Sequence, residues 1–306
     1  MARIELDGLL AFPLTAFADD LTLDLDAFAK HVEVHIAAGA GALFVACGTG
    51  EFSSLSPDEL ADVLKTARDV ANQRVPIWVG AGGGAAQAQA GVKAAEQGGA
   101  DGVLLMPPYL VTGPPAGLVE HVRYAVGDSG IPVIVYHRAP GVFTANAAKG
   151  LVGIPNVVGL KDGFGDVDLM TRIVTTIRAE NPDFLFFNGL PTAEVSAQAY
   201  AAIGVRRYSS AVHCFAPAIA HRFHRAITEN DHDTAQALLS GFYLPLVALR
   251  DESPGFAVSL VKAAARLRGD KVGPVRPPLA EPTPDQLDRL ARIVDDGHAA
   301  LEDLPS

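Results

Sequence analysis

The chain has 306 residues, and its 49% hydrophobic and 7% aromatic content is typical of a well-packed globular protein. A formal net charge of −11 disfavours binding to nucleic acid or to an anionic membrane, because most of the surface would repel phosphates. Cys47 and Cys214, the two cysteines, form neither a disulfide framework nor a metal-binding CxxC pair. Residues 1–7 lack a leader pattern, and no apolar run approaches the roughly 20 residues that span a bilayer, so we expect a cytoplasmic protein.

Apolar runs typical of buried strands alternate with amphipathic runs typical of helices. Strands are predicted at residues 8–14, 42–46, 76–80, 102–106, 132–136, 157–161, 184–188 and 206–210. Helices are predicted between them at residues 24–38, 57–71, 86–97, 115–126, 167–179 and 192–203. Eight such units with apolar strands predict a (β/α)8 TIM barrel of the α/β class, and an open doubly wound sheet is the alternative.

Further helices are predicted after the eighth strand, at residues 217–229, 233–250, 255–268 and 284–301. We therefore expect a catalytic barrel at residues 1–230, followed by a C-terminal helical extension at residues 231–306. The glycine run at residues 80–84 lacks the spacing of a P-loop or a dinucleotide-binding loop, which predicts a tight turn without a nucleotide cofactor.

Lys161 is the main candidate for chemistry, because it alone among the lysines closes a predicted barrel strand. In this fold the carboxyl ends of the strands form the working face. An amine held there among apolar residues loses its proton near neutral pH and attacks carbonyl groups. Tyr136 ends the neighbouring strand, about 5 Å away, where a phenol can shuttle protons. The alternative is that Lys161 points into water and Tyr136 packs at the barrel rim.

The turn at Gly48, Thr49 and Gly50 offers unhindered backbone N–H groups and a hydroxyl, which suit a substrate carboxylate. The alternative is an ordinary strand-to-helix turn. Glu51 is expected to brace this loop and not to contact substrate. Other candidates for substrate binding follow the remaining strands: Tyr109, Arg138, Gly189 and Ser209. Ser209 has the alternative role of satisfying the barrel end.

Metal ligation has weaker support in the sequence. His31 and His35 are spaced i and i+4 on a predicted helix, but Glu33 stands one place too late for an HExxH pattern. Three further histidines lie near the eighth helix, mostly beyond the barrel mouth: His213, His221 and His224. We expect no catalytic metal and no other cofactor.

The combination of Gly48-Thr49-Gly50-Glu51, Pro108-Tyr109, Tyr136 and Gly159-Leu160-Lys161-Asp162 resembles the dihydrodipicolinate synthase and N-acetylneuraminate lyase superfamily. The resemblance covers essentially the whole chain. It implies that Lys161 forms an imine with a small 2-keto acid, that Tyr136 transfers protons and that the Thr49 turn holds the substrate carboxylate. It also implies a homo-oligomer, either a tetramer or a dimer.

Departures from the superfamily pattern narrow the expected activity. Dihydrodipicolinate synthases usually carry Gly-Thr-Thr-Gly-Glu, whereas Gly48 stands where the first threonine belongs. They also carry a Tyr-Tyr pair, whereas Leu110 follows Tyr109, and their later arginine corresponds to Gly141. Two of the three members of their proton relay are therefore missing, which disfavours lysine biosynthesis.

The segments at residues 44–52, 105–110, 133–139 and 191–195 instead resemble a branch of decarboxylating dehydratases that act on a keto-deoxy sugar diacid. In that branch an asparagine usually follows the tyrosine of strand five, where this chain has His137. The closest alternative is a class I aldolase that cleaves a 2-keto-3-deoxy sugar acid to pyruvate. A more remote alternative is a barrel that binds a keto acid without turnover.

Overall fold

A computed structural model describes residues 6–304 and shows a closed barrel of eight parallel strands, with the last strand pairing with the first. The strands are β1 Leu10–Ala11, β2 Ala42–Val45, β3 Ile77–Gly83, β4 Gly102–Pro108, β5 Val133–His137, β6 Val157–Asp162, β7 Leu185–Asn188 and β8 Arg207–Ser210. The predicted TIM barrel is thus confirmed, and the open sheet is excluded. β1 is shorter than predicted, because only two residues of the apolar run pair with its neighbours.

Helices cover the outside of the barrel and continue after β8. They are α1 Leu25–Ala37, α2 Pro57–Ala71, α3 Ala85–Gln97, α4 Pro115–Val126, α5 Ala145–Lys149, α6 Val167–Glu180, α7 Ala197–Ala202, α8 Pro217–Glu229, α9 His232–Leu238, α10 Leu244–Arg250, α11 Phe256–Leu267 and α12 Pro284–Glu302. None of these helices is both long enough and apolar enough to cross a membrane. Residues 1–5, used above in the leader prediction, and residues 305–306 of the predicted extension lie outside the described residues.

Three helical regions differ from prediction in detail. α5 was not predicted, because five residues are too few to show helical periodicity. The helix predicted at residues 192–203 begins with a 3-10 turn at Ala193–Ser196 before α7. The helix predicted at residues 233–250 contains a π-helical turn, Leu239–Tyr243, between α9 and α10. A 3-10 turn forms i→i+3 hydrogen bonds and a π-helical turn forms i→i+5 hydrogen bonds, and hydrophobic periodicity alone does not reveal either change.

The strands separate two apolar cores. Inward-facing side chains such as Phe44, Trp78 and Phe187 fill the barrel, while outward-facing ones such as Leu160 pack against the helices. Successive residues of a strand point to opposite faces. Since Leu160 points outward, Lys161 points into the barrel, and this alternation decides which residues line the mouth.

Candidate active site

Lys161 lies near the carboxyl end of β6 with its side chain inside the barrel and only 5% exposed. Tyr136 of β5 and Phe187 of β7 are its direct neighbours in register. The Lys161 Nζ atom is 3.9 Å from the centre of the Phe12 ring, 4.6 Å from that of Tyr136 and 5.6 Å from that of Phe187. Within residues 6–304, no carboxylate forms an ion pair with this amine.

The surroundings of Lys161 favour the neutral amine. The pKa of Lys161 is lowered from 10.5 to about 7, mainly by burial and to a smaller extent by the positive charge of Arg138. An ionised Cys47 would raise it, but burial raises the pKa of the Cys47 thiol to about 12, which keeps that thiol neutral at pH 7. The aromatic rings stabilise an ammonium only weakly compared with a carboxylate. Much of the population of Lys161 is therefore ready to act as a nucleophile at neutral pH.

Tyr136 is held in one orientation by two hydrogen bonds. Its hydroxyl donates to the carbonyl oxygen of Gly189 at 3.1 Å and accepts from Nη1 of Arg138 at 3.3 Å. Burial raises the pKa of Tyr136, while Arg138 opposes this effect. The phenol is consequently protonated at neutral pH, beside the amine and beside a cation that stabilises the tyrosinate when the proton leaves. This arrangement suits a proton shuttle.

Two glycines, Gly163 and Gly189, make room for the side chains of Tyr136 and Lys161 because they lack a Cβ atom. A Cβ on Gly189 would lie 2.0 Å from Cε of Lys161, and one on Gly163 would lie 2.5 Å from Cε2 of Tyr136. Substrate binding by Gly189 stays a prediction; in the structure this glycine leaves room for the lysine side chain, and its carbonyl oxygen accepts the hydrogen bond from the Tyr136 hydroxyl. Gly163 was not predicted as a site residue. Its position in the sequence, directly after Lys161-Asp162, was the one feature that could have indicated that it lies at the site.

The turn after β2 has unpaired donors. Among residues 6–304, no acceptor binds the backbone N–H of Gly48, Thr49 or Gly50. Gly50 is tightly packed, because a Cβ there would be 3.0 Å from the backbone nitrogen of Ala46, and its carbonyl accepts a 2.6 Å hydrogen bond from Thr15. A fixed turn with free N–H groups is able to bind an anion such as a carboxylate.

Glu51 faces away from the mouth and braces this turn from behind. Its Oε1 accepts a 2.7 Å hydrogen bond from Nζ of Lys262 on α11, and both side chains are almost completely buried. Its Oε2 accepts from the backbone N–H of Arg276 at 2.9 Å. The geometry agrees with the predicted bracing role, and it identifies Lys262 as a partner that sequence spacing did not indicate.

The other predicted binding residues are not equally close to the amine. Arg138 is exposed at the rim and reaches the site through the Tyr136 hydroxyl. Ser209 is partly buried and makes a long hydrogen bond, 3.5 Å, to the carbonyl oxygen of Asn188. Tyr109 is 70% exposed on the loop after β4 and is not among the groups around Lys161.

His137, whose role was uncertain, points away from the mouth. Its ring is buried near Phe143 and Phe164, and its Nδ1 accepts from the backbone N–H of Phe143 at 3.0 Å. Its Nε2 is 3.9 Å from Oδ1 of Asp162, which accepts from the backbone N–H of Phe164. Asp162 also accepts a hydrogen bond from the hydroxyl of Tyr200. These contacts place His137 behind the barrel wall, where it supports the ends of β5 and β6.

The fold and site together define a (β/α)8 barrel with a desolvated amine near the end of its sixth strand and a phenol beside it. The profile of the Dihydrodipicolinate synthetase family matches residues 5–296. The chain belongs to this family.

Curated relatives and solved structures agree with this assignment. The chain is 48% identical over 304 residues to "Probable 5-dehydro-4-deoxyglucarate dehydratase 1" of Streptomyces avermitilis, covering 99% of this chain and 97% of that one. It is 50% identical over 298 residues to the protein of the same name from Streptomyces coelicolor, covering 97% and 94%. The crystal structure of dihydrodipicolinate synthase from Bacillus clausii shares the fold, with a TM-score of 0.88, 22% identity and coverage of 95% and 97%.

Proposed function

We propose that this protein is a lyase that converts 5-dehydro-4-deoxy-D-glucarate to 2,5-dioxopentanoate, water and carbon dioxide, with Lys161 forming a Schiff base. The buried, unpaired amine of Lys161 carries the chemical part of this proposal. The names of relatives that are 48% and 50% identical over nearly the whole chain support the substrate. The activity belongs to the breakdown of glucarate and related sugar acids.

The first half of the reaction forms an imine and expels water. Neutral Lys161 attacks the C5 ketone, and loss of the carbinolamine hydroxyl as water leaves an iminium. The iminium acidifies the C4 protons, and a base, either Tyr136 in its ionised form or water, removes one of them to form an enamine. The enamine electrons then expel the C3 hydroxyl, which takes a proton and departs as water. We propose that Tyr136 donates and recovers these protons, because the centre of its ring lies 4.6 Å from the amine and Arg138 stabilises its anion.

The second half removes carbon dioxide. The conjugated iminium now extends from C5 to C3, so the electrons of the C1–C2 bond flow into it as the C1 carboxylate leaves. This step produces a dienamine with an enol at C2. A proton added at C3 converts the enol to the aldehyde, and a second proton added at C4 converts the remaining enamine to the imine. Hydrolysis of the imine releases 2,5-dioxopentanoate and regenerates Lys161. The iminium itself accepts the electrons, so we propose that the reaction uses no separate cofactor.

The substrate carries two carboxylates, and the site offers two groups to hold them. The first is the Thr49 turn, with the free N–H groups of Gly48 and Gly50. The second is Arg138 at the rim, beside the Tyr136 hydroxyl. Ser209 supplies a further hydroxyl inside the mouth.

We further propose that the protein is a cytoplasmic homo-oligomer, either a tetramer or a dimer. Tyr109, Leu110 and Val111 support self-association, because they form an exposed apolar run of 70%, 81% and 64% exposure. Cys47 and Cys214 are free thiols, as is usual in a reducing compartment. We place the division between the barrel and the helical extension at residue 230.

The test is to incubate the protein with 5-dehydro-4-deoxy-D-glucarate and sodium borohydride, and to follow carbon dioxide in a parallel sample without reductant. We expect carbon dioxide release and a reduced adduct on Lys161 in peptide mass spectrometry. Lys161→Ala is expected to lose the adduct and at least about a thousandfold in kcat, since the covalent route is then closed. Lys149→Ala is the control, because Lys149 is exposed and paired with Glu180.

Each outcome decides between the candidate reactions. An adduct on Lys161 with release of pyruvate and no carbon dioxide would identify an aldolase. An adduct without any product would identify a keto-acid-binding barrel. Full turnover by Lys161→Ala would overturn the Schiff-base mechanism.

A further inference from the structure

A second group of reactive side chains lies behind the barrel wall, and we call it the histidine cluster: His31, His35, His213, His221, Cys214 and Asp270. His31 and His35 stand one turn apart on α1, while His213 and Cys214 belong to the 3-10 turn Val212–Cys214 after β8. His31, His35, His213 and Cys214 are at most 2% exposed. Burial of so many ligand-type side chains in one place is costly unless they bind one another or an ion.

The hydrogen bonds of the cluster bring one nitrogen of His31 and one nitrogen of His35 close together, and without a cation a proton on one of them bridges the pair. Nδ1 of His31 lies 3.1 Å from Oδ2 of Asp270, a contact that requires the His31 proton on Nδ1. Nδ1 of His35 lies 2.7 Å from Nδ1 of His213. The remaining nitrogens, Nε2 of His31 and Nε2 of His35, are 3.1 Å apart.

Cys214 completes a set of three converging ligand atoms. One nitrogen of His31, one of His35 and Sγ of Cys214 all lie within 4.8 Å of one another. In a tetrahedral zinc site, bonds of about 2.0 Å to nitrogen place two ligand nitrogens about 3.3 Å apart. The observed 3.1 Å between the Nε2 atoms is close to this separation. We propose that His31, His35 and Cys214 bind one borderline-soft divalent cation, such as Zn²⁺, with Asp270 and His213 orienting the two imidazoles.

The protons balance when the cation enters. The Cys214 thiol, which donates to the carbonyl oxygen of Phe12 at 3.3 Å, releases its proton to solvent as the thiolate binds the metal. His35 keeps one proton, on Nδ1, and donates it to Nδ1 of His213. His213 then donates from Nε2 to Nε2 of His221, 3.1 Å away, so every imidazole remains neutral. A carboxylate behind a histidine ligand, as Asp270 stands behind His31, is the usual outer support of a metal site.

The site is separate from the proposed catalytic centre. Cys214 belongs to the core between the barrel and its helices, while Lys161 lies inside the barrel. The cation would join α1 to the turn after β8. Its expected effect is therefore on stability, and the inference stands whether or not the dehydratase assignment is correct.

The test uses the full-length protein, stripped of metal with a chelator and titrated with Co²⁺ as a spectroscopic probe. We expect one equivalent of Co²⁺ to bind with a tetrahedral spectrum and a thiolate-to-metal charge-transfer band, and Zn²⁺ to displace it. Zn²⁺ is also expected to raise the melting temperature. Absence of saturable Co²⁺ binding, or a spectrum without the thiolate band, would overturn the proposal.

Variants assign the ligands. Cys47→Ser leaves Cys214 as the sole cysteine. If this variant retains the charge-transfer band, the thiolate ligand is Cys214. Loss of the band would contradict the proposal. Asp270→Asn keeps every ligand and is expected to weaken Zn²⁺ binding about 10- to 100-fold. His232→Asn, an exposed histidine outside the cluster, is the matched control and should bind like the parent. Equal affinity for Asp270→Asn and the parent would remove Asp270 from the site.

Discussion

At the scale of single residues, the surroundings of two buried lysines indicate which one has a structural role and which one is suited to be a nucleophile. Lys262 is buried against Glu51, so its ammonium has a partner, whereas Lys161 is buried among rings without a carboxylate. Burial lowers the pKa of Lys262 to about 8 and that of Lys161 to about 7. A lowered lysine pKa without a neutralising partner is typical of a nucleophile, because the fold stabilises the reactive form.

The pH dependence of kcat/KM follows from this amine. In the proposed mechanism only neutral Lys161 attacks the ketone, so kcat/KM is expected to rise about tenfold per pH unit below the folded pKa and to level off above it. The break is expected near pH 7, because burial lowers the pKa of Lys161 to about 7. Arg138→Gln should move the break to higher pH, because the positive charge of Arg138 helps lower this pKa. Arg123→Gln, an exposed change on α4, should leave the break in place, and a break near pH 10 in the parent would contradict the assignment.

Tyr136 is expected to matter through its hydroxyl and not through its ring. Tyr136→Phe keeps the ring beside Lys161 but removes the hydroxyl that we propose transfers protons, so kcat should fall by on the order of 10² to 10⁴. Borohydride should still trap an adduct on Lys161, more slowly. Tyr124→Phe, a half-exposed change on α4, is the control. A Tyr136→Phe enzyme with the parent's kcat would show that water carries the protons.

At the scale of elements, the site depends on close contact between β6 and the loop after β7. Gly189→Ala would place a Cβ 2.0 Å from Cε of Lys161, so the lysine must leave its position. We expect a loss of adduct formation and of at least about tenfold in kcat/KM, because small misplacements of a reacting group are costly. Gly153→Ala is the control, since its Cβ would meet only Gly150 at an ordinary 3.5 Å. Parent-like trapping by Gly189→Ala would show that the amine tolerates displacement.

The same elements show what sequence reasoning captured and what it missed. Strand positions followed from apolar runs bounded by glycine and proline, and the order of strands was enough to put Tyr136 beside Lys161. The outward direction of His137 also follows from strand alternation once Tyr136 faces inward. The space-making role of Gly189 could not be predicted, because it depends on how a loop approaches a side chain of another strand. The 70% exposure of Tyr109 likewise depends on the path of its loop.

At the scale of the whole molecule, the chain after the barrel holds the turn at residues 48–50 in place. Glu51 and Lys262 are 211 positions apart in sequence, so no local pattern indicated that they meet. Arg276 adds a second tie, because its backbone binds Glu51 and its guanidinium forms hydrogen bonds of 2.6 and 2.9 Å with Glu59 at the start of α2. Helix α11 and the connection between α11 and α12 thereby support a loop that the barrel alone would leave with fewer contacts.

The buried ion pair between Glu51 and Lys262 predicts that stability and substrate binding are lost together when it is broken. Lys262→Met leaves the Glu51 carboxylate buried without its cation, and removing one partner of a buried ion pair costs about 3–5 kcal/mol of unfolding free energy. The loosened turn should raise KM more than it lowers kcat, because in the proposed mechanism the turn holds a substrate carboxylate and does not take part in bond breaking. Denaturant unfolding and steady-state kinetics measure the two effects.

The double change Glu51→Gln with Lys262→Met separates the ion pair from simple loss of packing. With the charge removed from both partners, part of the lost stability should return, because an unpaired buried charge costs more than a neutral pair. Lys65→Met, which breaks the exposed pair with Asp69, should leave the unfolding midpoint close to that of the parent. Strictly additive effects of the two buried changes would mean that Glu51 and Lys262 act independently, and that the turn after β2 is held by the Arg276 contact instead.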